Sequence, residues 1–167
     1  AATGIGRLKP WQANPVAGEF KSPIGVAFAF SKDAQDACPH FTGRYIKGVK
    51  NGPSPDWLVR RLIAIGLRPV SALVDVTNLM TVGLGRPMHV FDANAVQGNL
   101  TIRLAQTGES LRALDGGDYS LDPEICVVAD EKEVLSLAGI VGGIASGCTD
   151  DTTNVFFLAS SCRASKS

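Results

Sequence analysis

Chain breakers constrain this sequence more than any other feature. Asn51-Gly52-Pro53, Gly66, Gly83-x-Gly85, Gly108-Glu109, Asp115-Gly116-Gly117-Asp118 and Gly142-Gly143 cut it into short segments, with a turn roughly every ten residues. Segments that short favour strands over helices. Strands are predicted over 24–30, 41–49, 100–105, 111–114, 119–121, 125–129, 134–141 and 155–158, with a helical turn over 33–38. Asp115-Gly116-Gly117-Asp118 is a hairpin signal. One helix is clear. Ser54 is its expected cap, Pro55 its first residue and Asp56 its acidic first turn, while Leu58, Leu62 and Ile65 form an apolar stripe beside Trp57 that ends at Gly66. Many short strands with one firm helix give an α+β class, sheet-rich and not doubly wound.

A chain of 167 residues suits one domain with its own core. Sixteen basic and sixteen acidic residues cancel, so no electrostatic footprint announces a domain held mainly by phosphate contacts. A visit by a single RNA end stays open. Cys38, Cys126, Cys148 and Cys162 show no CxxC and no ordered histidine spacing, so no metal is expected and the thiols read as reduced. No segment is long and apolar enough to span a bilayer, and the start carries no basic region followed by an apolar one; a cytoplasmic location without membrane contact is expected. The chain begins Ala-Ala-Thr-Gly, which reads as a piece of something longer. Residues 1–22, with Gly4, Gly6, Pro10, Pro15 and Gly18, read as a linker entering the domain. Arg44 and Lys47 are either solvated strand charges or phosphate contacts.

Arg68 to Asp92 carries the chemistry. Val70 to Val76 reads as a buried strand whose end bears Asp75, Thr77 and Asn78. Buried polar groups left unpaired cost about 1–3 kcal/mol each, so a strand end facing a cleft is expected there. Gly83 and Gly85 then allow a reversal, Pro87 stiffens the return, and His89 arrives with Asp92 close behind. Two antiparallel arms would bring Thr77, Asn78 and His89 to one mouth. The run from Leu137 to Gly143 is either a packed strand with a tight turn or a place where a ligand approaches bare backbone, its amides forming an anion nest. No GxSxG elbow and no activated cysteine is present, and His89 alone is either a hydrogen-bonded structural residue or a base.

Six motifs occur in one order: Gly52-Pro53-Ser54-Pro55-x-Trp57-Leu58, Gly66-Leu67-Arg68-Pro69, Val74-Asp75-Val76-Thr77-Asn78, Gly85-Arg86-Pro87-Met88-His89-x-Phe91-Asp92, Leu114-Asp115-Gly116 and Ala138-Gly139-Ile140-x-Gly142-Gly143. Together they closely resemble the central editing domain of the β subunit of bacterial phenylalanyl-tRNA synthetase. The resemblance implies a three-layer sheet sandwich of unusual topology with flanking helices. It also implies hydrolysis of tyrosine wrongly esterified to tRNA(Phe), within an enzyme that charges that tRNA with phenylalanine. A pocket built for an apolar ring rejects an isostere that only adds a hydroxyl by no more than ~10²-fold, hence the second site. The implied catalytic residues are Thr77 and His89, holding the ester and its attacking water. Arg68, Asn78, Pro87, Ala138 and Gly139 are the implied substrate-binding residues. The resemblance implies no metal and no cofactor in this domain, since ATP and magnesium belong to the synthetic site elsewhere. The implied partners are the 3′ end of tRNA(Phe), the α subunit and the rest of the β subunit.

Two departures stand out. Where the family carries a glutamate that accepts the tyrosine hydroxyl, this chain has Leu158, and Ile144 replaces another glutamate. The expected division is a linker over 1–22, an incomplete editing domain over 23–158 and a tail without resemblance over 159–167. Alternatives are a freestanding tRNA-binding or trans-editing domain, and a noncatalytic scaffold for RNA or protein.

Overall fold

A computed structural model describes residue 12 and residues 14–162. Among the described residues there are ten strands, β1 (Val26–Ala29), β2 (His40–Lys47), β3 (Met88–Asp92), β4 (Leu100–Leu104), β5 (Ser110–Arg112), β6 (Asp118–Ser120), β7 (Cys126–Ala129), β8 (Val134–Leu137), β9 (Val141–Gly142) and β10 (Asn154–Ser161). Two α-helices, α1 (Asp56–Ala64) and α2 (Ala72–Leu84), lie between β2 and β3, and short 3₁₀ turns cover Lys32–Ala37 and Ile144–Ser146. The α+β class is as expected from the sequence.

The large sheet has the order β1-β4-β7-β8-β9, the small one β2-β10-β3, and β5-β6 form a hairpin. β1 joins β4 in parallel, the other pairings being antiparallel. The sheets share a core in which Leu100, Ile102 and Val128 meet Phe91, Phe156 and Leu158. Behind the large sheet, Leu111, Ala113 and Leu121 of the hairpin region cover Val127 and Leu137. Behind the small sheet, Leu73 of α2 covers Val90 and Val155. The result is a helix layer, two facing sheets and an outer hairpin.

α1 follows its sequence closely at one end and departs from it at the other. Leu67 N–H donates to Leu62 O (2.9 Å) and Gly66 N–H to Ile63 O (3.0 Å), with Gly66 at φ +81°, so the helix closes in a Schellman motif. Leu58 and Leu62 are buried as expected, whereas Ile65 is 50% exposed and Trp57 48%. Trp57 instead stacks under the Arg61 guanidinium, 5.4 Å from its ring centroid. Pro55 occupies the cap position, and Ser54 does not cap: its Oγ donates to Asp75 Oδ2 at 2.5 Å.

Of the segment expected to be a strand, 70–76, residues 72–76 open α2 instead. Its valines favour a strand, and an apolar run of this length cannot be assigned by periodicity alone. The tertiary setting decides. Asp75 in the first turn suits the positive helix end, and its carboxylate accepts both Ser54 Oγ–H and Val70 N–H (2.9 Å). Gly85, at φ +63°, ends the helix. Asp75 therefore fastens α2 to the entrance of α1 and does not face a cleft.

Strands expected over 41–49, 100–105 and 125–129 appear with small shifts of boundary, while 134–141 is broken into β8 and β9 by a turn at 138–140. Arg103 forms a two-pronged ion pair with Glu109 (2.8 and 2.6 Å) that raises its own pKa and lowers that of Glu109. Residues 14–25 have no helix or strand and lie against β2: Arg44 donates to Val16 O (2.8 Å), and Phe20 packs edge-on to Tyr45 with Lys47 4.7 Å above its ring. Both cations thus contact the connector. Residues 1–11 and 13 of the expected linker and residues 163–167 of the expected tail lie outside the described residues. Residues 159–161 continue β10, so the strand runs past the boundary expected at 158.

Candidate functional site

Where the free edge of the small sheet meets the far end of the large one, α2 roofs a cavity of about 390 Å³. Val74, Thr77, Asn78 and Thr81 line it at helical spacing i, i+3, i+4, i+7. His89 enters from β3, Leu158 and Ser160 from β10, and Gly139 and Gly142 from the end of the large sheet. Thr77, Asn78 and His89 do share one mouth, as the sequence suggested. The means differ, because a helix face and a strand bring them together in place of two antiparallel arms.

Five of the seven expected site residues line this cavity: Thr77, Asn78, Pro87, His89 and Gly139. Ala138 is buried and lines a neighbouring cavity of about 310 Å³, whose wall shares Pro87, Gly139, Ile140 and Ser160 with the first. Arg68 is exposed and lines neither, although Val70, two residues on, does. Sequence reasoning missed Thr81, Ser136, Cys148 and Ser160. For Thr81 the helical spacing from Thr77 was the available signal. Its Oγ1 accepts Met88 N–H at 3.1 Å and ties the start of β3 to α2.

His89 is the one imidazole in the cavity. Its Nε2 is buried with no hydrogen-bond partner, and its ring stands edge-on to Phe91, centroids 4.5 Å apart. Burial pushes its pKa down to about 4, so the ring is neutral at neutral pH. Asp92 does not orient it: three residues along a strand, it points to the opposite face and accepts Thr152 Oγ1–H (2.6 Å) and Asn94 N–H (2.9 Å). Thr77 Oγ1 donates to Val74 O one turn back (2.7 Å), so the hydroxyl meets the cavity as an acceptor. Cys148 also lines the wall; burial, and secondarily the charge of Asp92, raise its thiol to about 11, so it is no nucleophile at neutral pH.

The glycine run is a turn, as one of its two readings had it. Ala138 N–H donates to Cys126 O, Ile140 N–H to Leu137 O and Gly143 N–H to Leu135 O, so these amides are spent and form no anion nest. Gly139 sits at φ +77°, and Ile140 beside it is 75% exposed. No metal-binding group of His, Cys, Asp or Glu side chains lines the main cavity among the described residues. The site holds a polar helix face, a neutral imidazole and bare backbone, which suits positioning a water more than generating a charged nucleophile.

Comparison with known proteins agrees with this architecture. The chain is 55% identical to the phenylalanine–tRNA ligase β subunit of Paramagnetospirillum magneticum over 95% of its own length and 20% of that protein's. It is likewise 55% identical to the β subunit of Bradyrhizobium diazoefficiens over 93% of its length and 19% of that protein's. The chain thus spans about a fifth of the curated relatives it matches. Its fold matches a crystal structure of an N-terminal fragment of the phenylalanyl-tRNA synthetase β subunit from Pyrococcus horikoshii, with a TM-score of 0.66 and 16% identity over 87% of this chain and 45% of that one. The B3/4 domain family matches residues 37–166, most of the chain and all of the elements that build the cavity, and the chain belongs to that family.

Proposed function

We propose that this chain is the editing domain of a phenylalanine–tRNA ligase β subunit and that its main cavity hydrolyses tyrosine esterified to tRNA(Phe). The observation that carries the reading is the convergence of Thr77, Asn78, His89 and Gly139 on one cavity of about 390 Å³, within the size range of small-molecule sites. The 3′-terminal adenosine would lie along the α2 face, with Arg68 outside to meet the backbone phosphate. The unpartnered Nε2 of neutral His89 accepts a proton of the attacking water, and Thr77 Oγ1 accepts from the ribose hydroxyl beside the ester and so holds it in reach. The water oxygen adds to the ester carbonyl carbon, the bond to the ribose oxygen breaks, and the water's proton passes to that oxygen. Free tyrosine and uncharged tRNA result. Orientation carries the rate, since no strong base is present.

Leu158 limits the outcome. It lines the cavity opposite His89 in the β3–β10 register and offers the tyrosine hydroxyl no acceptor. This chain therefore discriminates tyrosine from phenylalanine esters weakly. In the α- and β-subunit enzyme carrying this domain, Thr77→Val and His89→Ala should each slow deacylation of tyrosyl-tRNA(Phe) at least tenfold, about 1.4 kcal/mol, and leave phenylalanine activation unchanged. Equal loss of both activities would mark the residues as structural and overturn the assignment. A second reading, tRNA binding without hydrolysis, is favoured by Leu158 alone. Retained tRNA affinity with no deacylation by the unmutated enzyme would establish it.

A further inference from the structure

Three cysteines that the sequence scatters meet at one point outside the main cavity. Cys38 follows the 3₁₀ turn after β1, Cys126 opens β7 of the large sheet, and Cys162 follows β10 of the small sheet. Cys126 Sγ donates to Cys162 Sγ (3.4 Å), Cys162 Sγ to Cys38 Sγ (2.9 Å), and Cys38 Sγ to His40 O (3.6 Å). All are free thiols, and the three sulfurs lie within 4.8 Å of one another. Cys38 and Cys126 are buried in the core between the sheets, while Cys162 is half-buried. We propose that Cys38, Cys126 and Cys162 form a three-sulfur binding site for a thiophilic divalent cation, zinc in the cell, that ties the two sheets together.

Geometry, charge and access argue for this reading. Zinc–sulfur bonds of about 2.3 Å in a tetrahedron put sulfurs about 3.8 Å apart. The sulfurs must therefore open from 2.9 and 3.4 Å by less than about 1 Å, and half-buried Cys162 is the side chain best able to move. Thiolate donors select soft and borderline cations. A dication leaves three thiolates with one net negative charge, whereas a monovalent cation leaves two in the same apolar surroundings, a costlier burial. No carboxylate or imidazole joins the cluster among the described residues, so the fourth position belongs to a water. The smaller cavity supplies the room: Cys126 and Cys162 line it together with Ser160, whose buried Oγ has no partner and can hydrogen-bond such a water. The sulfurs belong to positions 36 and 124 residues apart, so local spacing gives no hint of the site.

The test titrates the reduced 167-residue chain with Cd(II) and follows the ultraviolet sulfur-to-metal charge-transfer band, with Zn(II) as competitor. The expected result is a band saturating at one equivalent, its loss on adding Zn(II), and a higher melting temperature with either ion. Cys162→Ser, at the half-buried position, and Cys38→Ser should each abolish the band, while Cys148→Ser, outside the cluster, should retain it. Circular dichroism confirms that each variant is folded. Should Cys38→Ser fail to fold, Cys162→Ser decides alone. Absence of a one-equivalent band in the unmutated chain, or its survival in folded Cys162→Ser, overturns the proposal.

Discussion

The His89 ring lies directly over the backbone of Gly142, so close that a Cβ on Gly142 would collide with the imidazole. β3 and β9 belong to different sheets, and this contact is where the two meet at the cavity. Gly142 has no positive φ, so the need for glycine is steric and not conformational. Gly142→Ala should overpack the seam and cost about 1–3 kcal/mol, read as a lower urea midpoint with unchanged slope. The same variant should slow tyrosyl-tRNA(Phe) hydrolysis, because the imidazole must leave its place.

Acid should destabilise the chain through His89. Its folded pKa, about 4, lies below the ordinary 6.5, so the unfolded chain binds the proton more readily. Above pH 6.5 both states are neutral there and the residue adds no slope. As pH falls from 6.5 to 4, stability is lost, about 3 kcal/mol in all if the whole shift counts. Denaturation across that range should show the slope in the unmutated chain and a flatter one in His89→Gln. Identical slopes would show that the imidazole is solvated.

Asp75 is wholly buried and holds two donors. Asp75→Ala leaves Val70 N–H and the Ser54 hydroxyl without their acceptor, and roughly 2–3 kcal/mol of stability should go with it. Amide exchange at Val70 and in the first turn of α2 should rise most. A loss below about 0.5 kcal/mol, the level of an ordinary surface substitution, would mean that water replaces the carboxylate.

Leu158→Glu restores an acceptor inside the cavity. Tyrosyl-ester hydrolysis should increase at least tenfold with phenylalanyl-ester hydrolysis little changed, the gain coming from one charge-assisted hydrogen bond of about 1.5–3 kcal/mol. The buried carboxylate should also lower stability. Equal rises for both esters would show that Leu158 does not meet the aromatic ring.

How legible all this was depended on the range of the forces involved. α1 was readable because Asp56, the Leu58–Leu62 stripe and Gly66 act within a few turns. The strand list was readable for the same reason, since turn residues bound each segment. α2 was not, because Val74, Val76 and Thr77 argue for a strand and only the partners of Asp75, on Ser54 and Val70, reveal the helix. Thr77, Asn78 and His89 meet at the cavity despite that error. Thr77 and Asn78 reach the cavity from a helix as well as they would from a strand end, and His89 reaches it from β3 in either case. The cysteine cluster was illegible, since nothing local distinguishes thiols that meet only after both sheets have formed.

β10 is the central strand of the small sheet, and its register matches Ser161 with His40 and Leu158 with both Gly43 and His89. During synthesis β2 and β3 leave the ribosome long before the strand that joins them, and neither can pair with the other across the gap. Val155 of β10 also completes the apolar floor under Leu73, so α2 has no finished surface to rest on until then. The nascent chain therefore carries two orphan strand edges and a bare helix face while residues 93–153 are being made, the state in which chaperone capture and mispairing compete with folding. The small sheet cannot close until the 154–161 segment emerges.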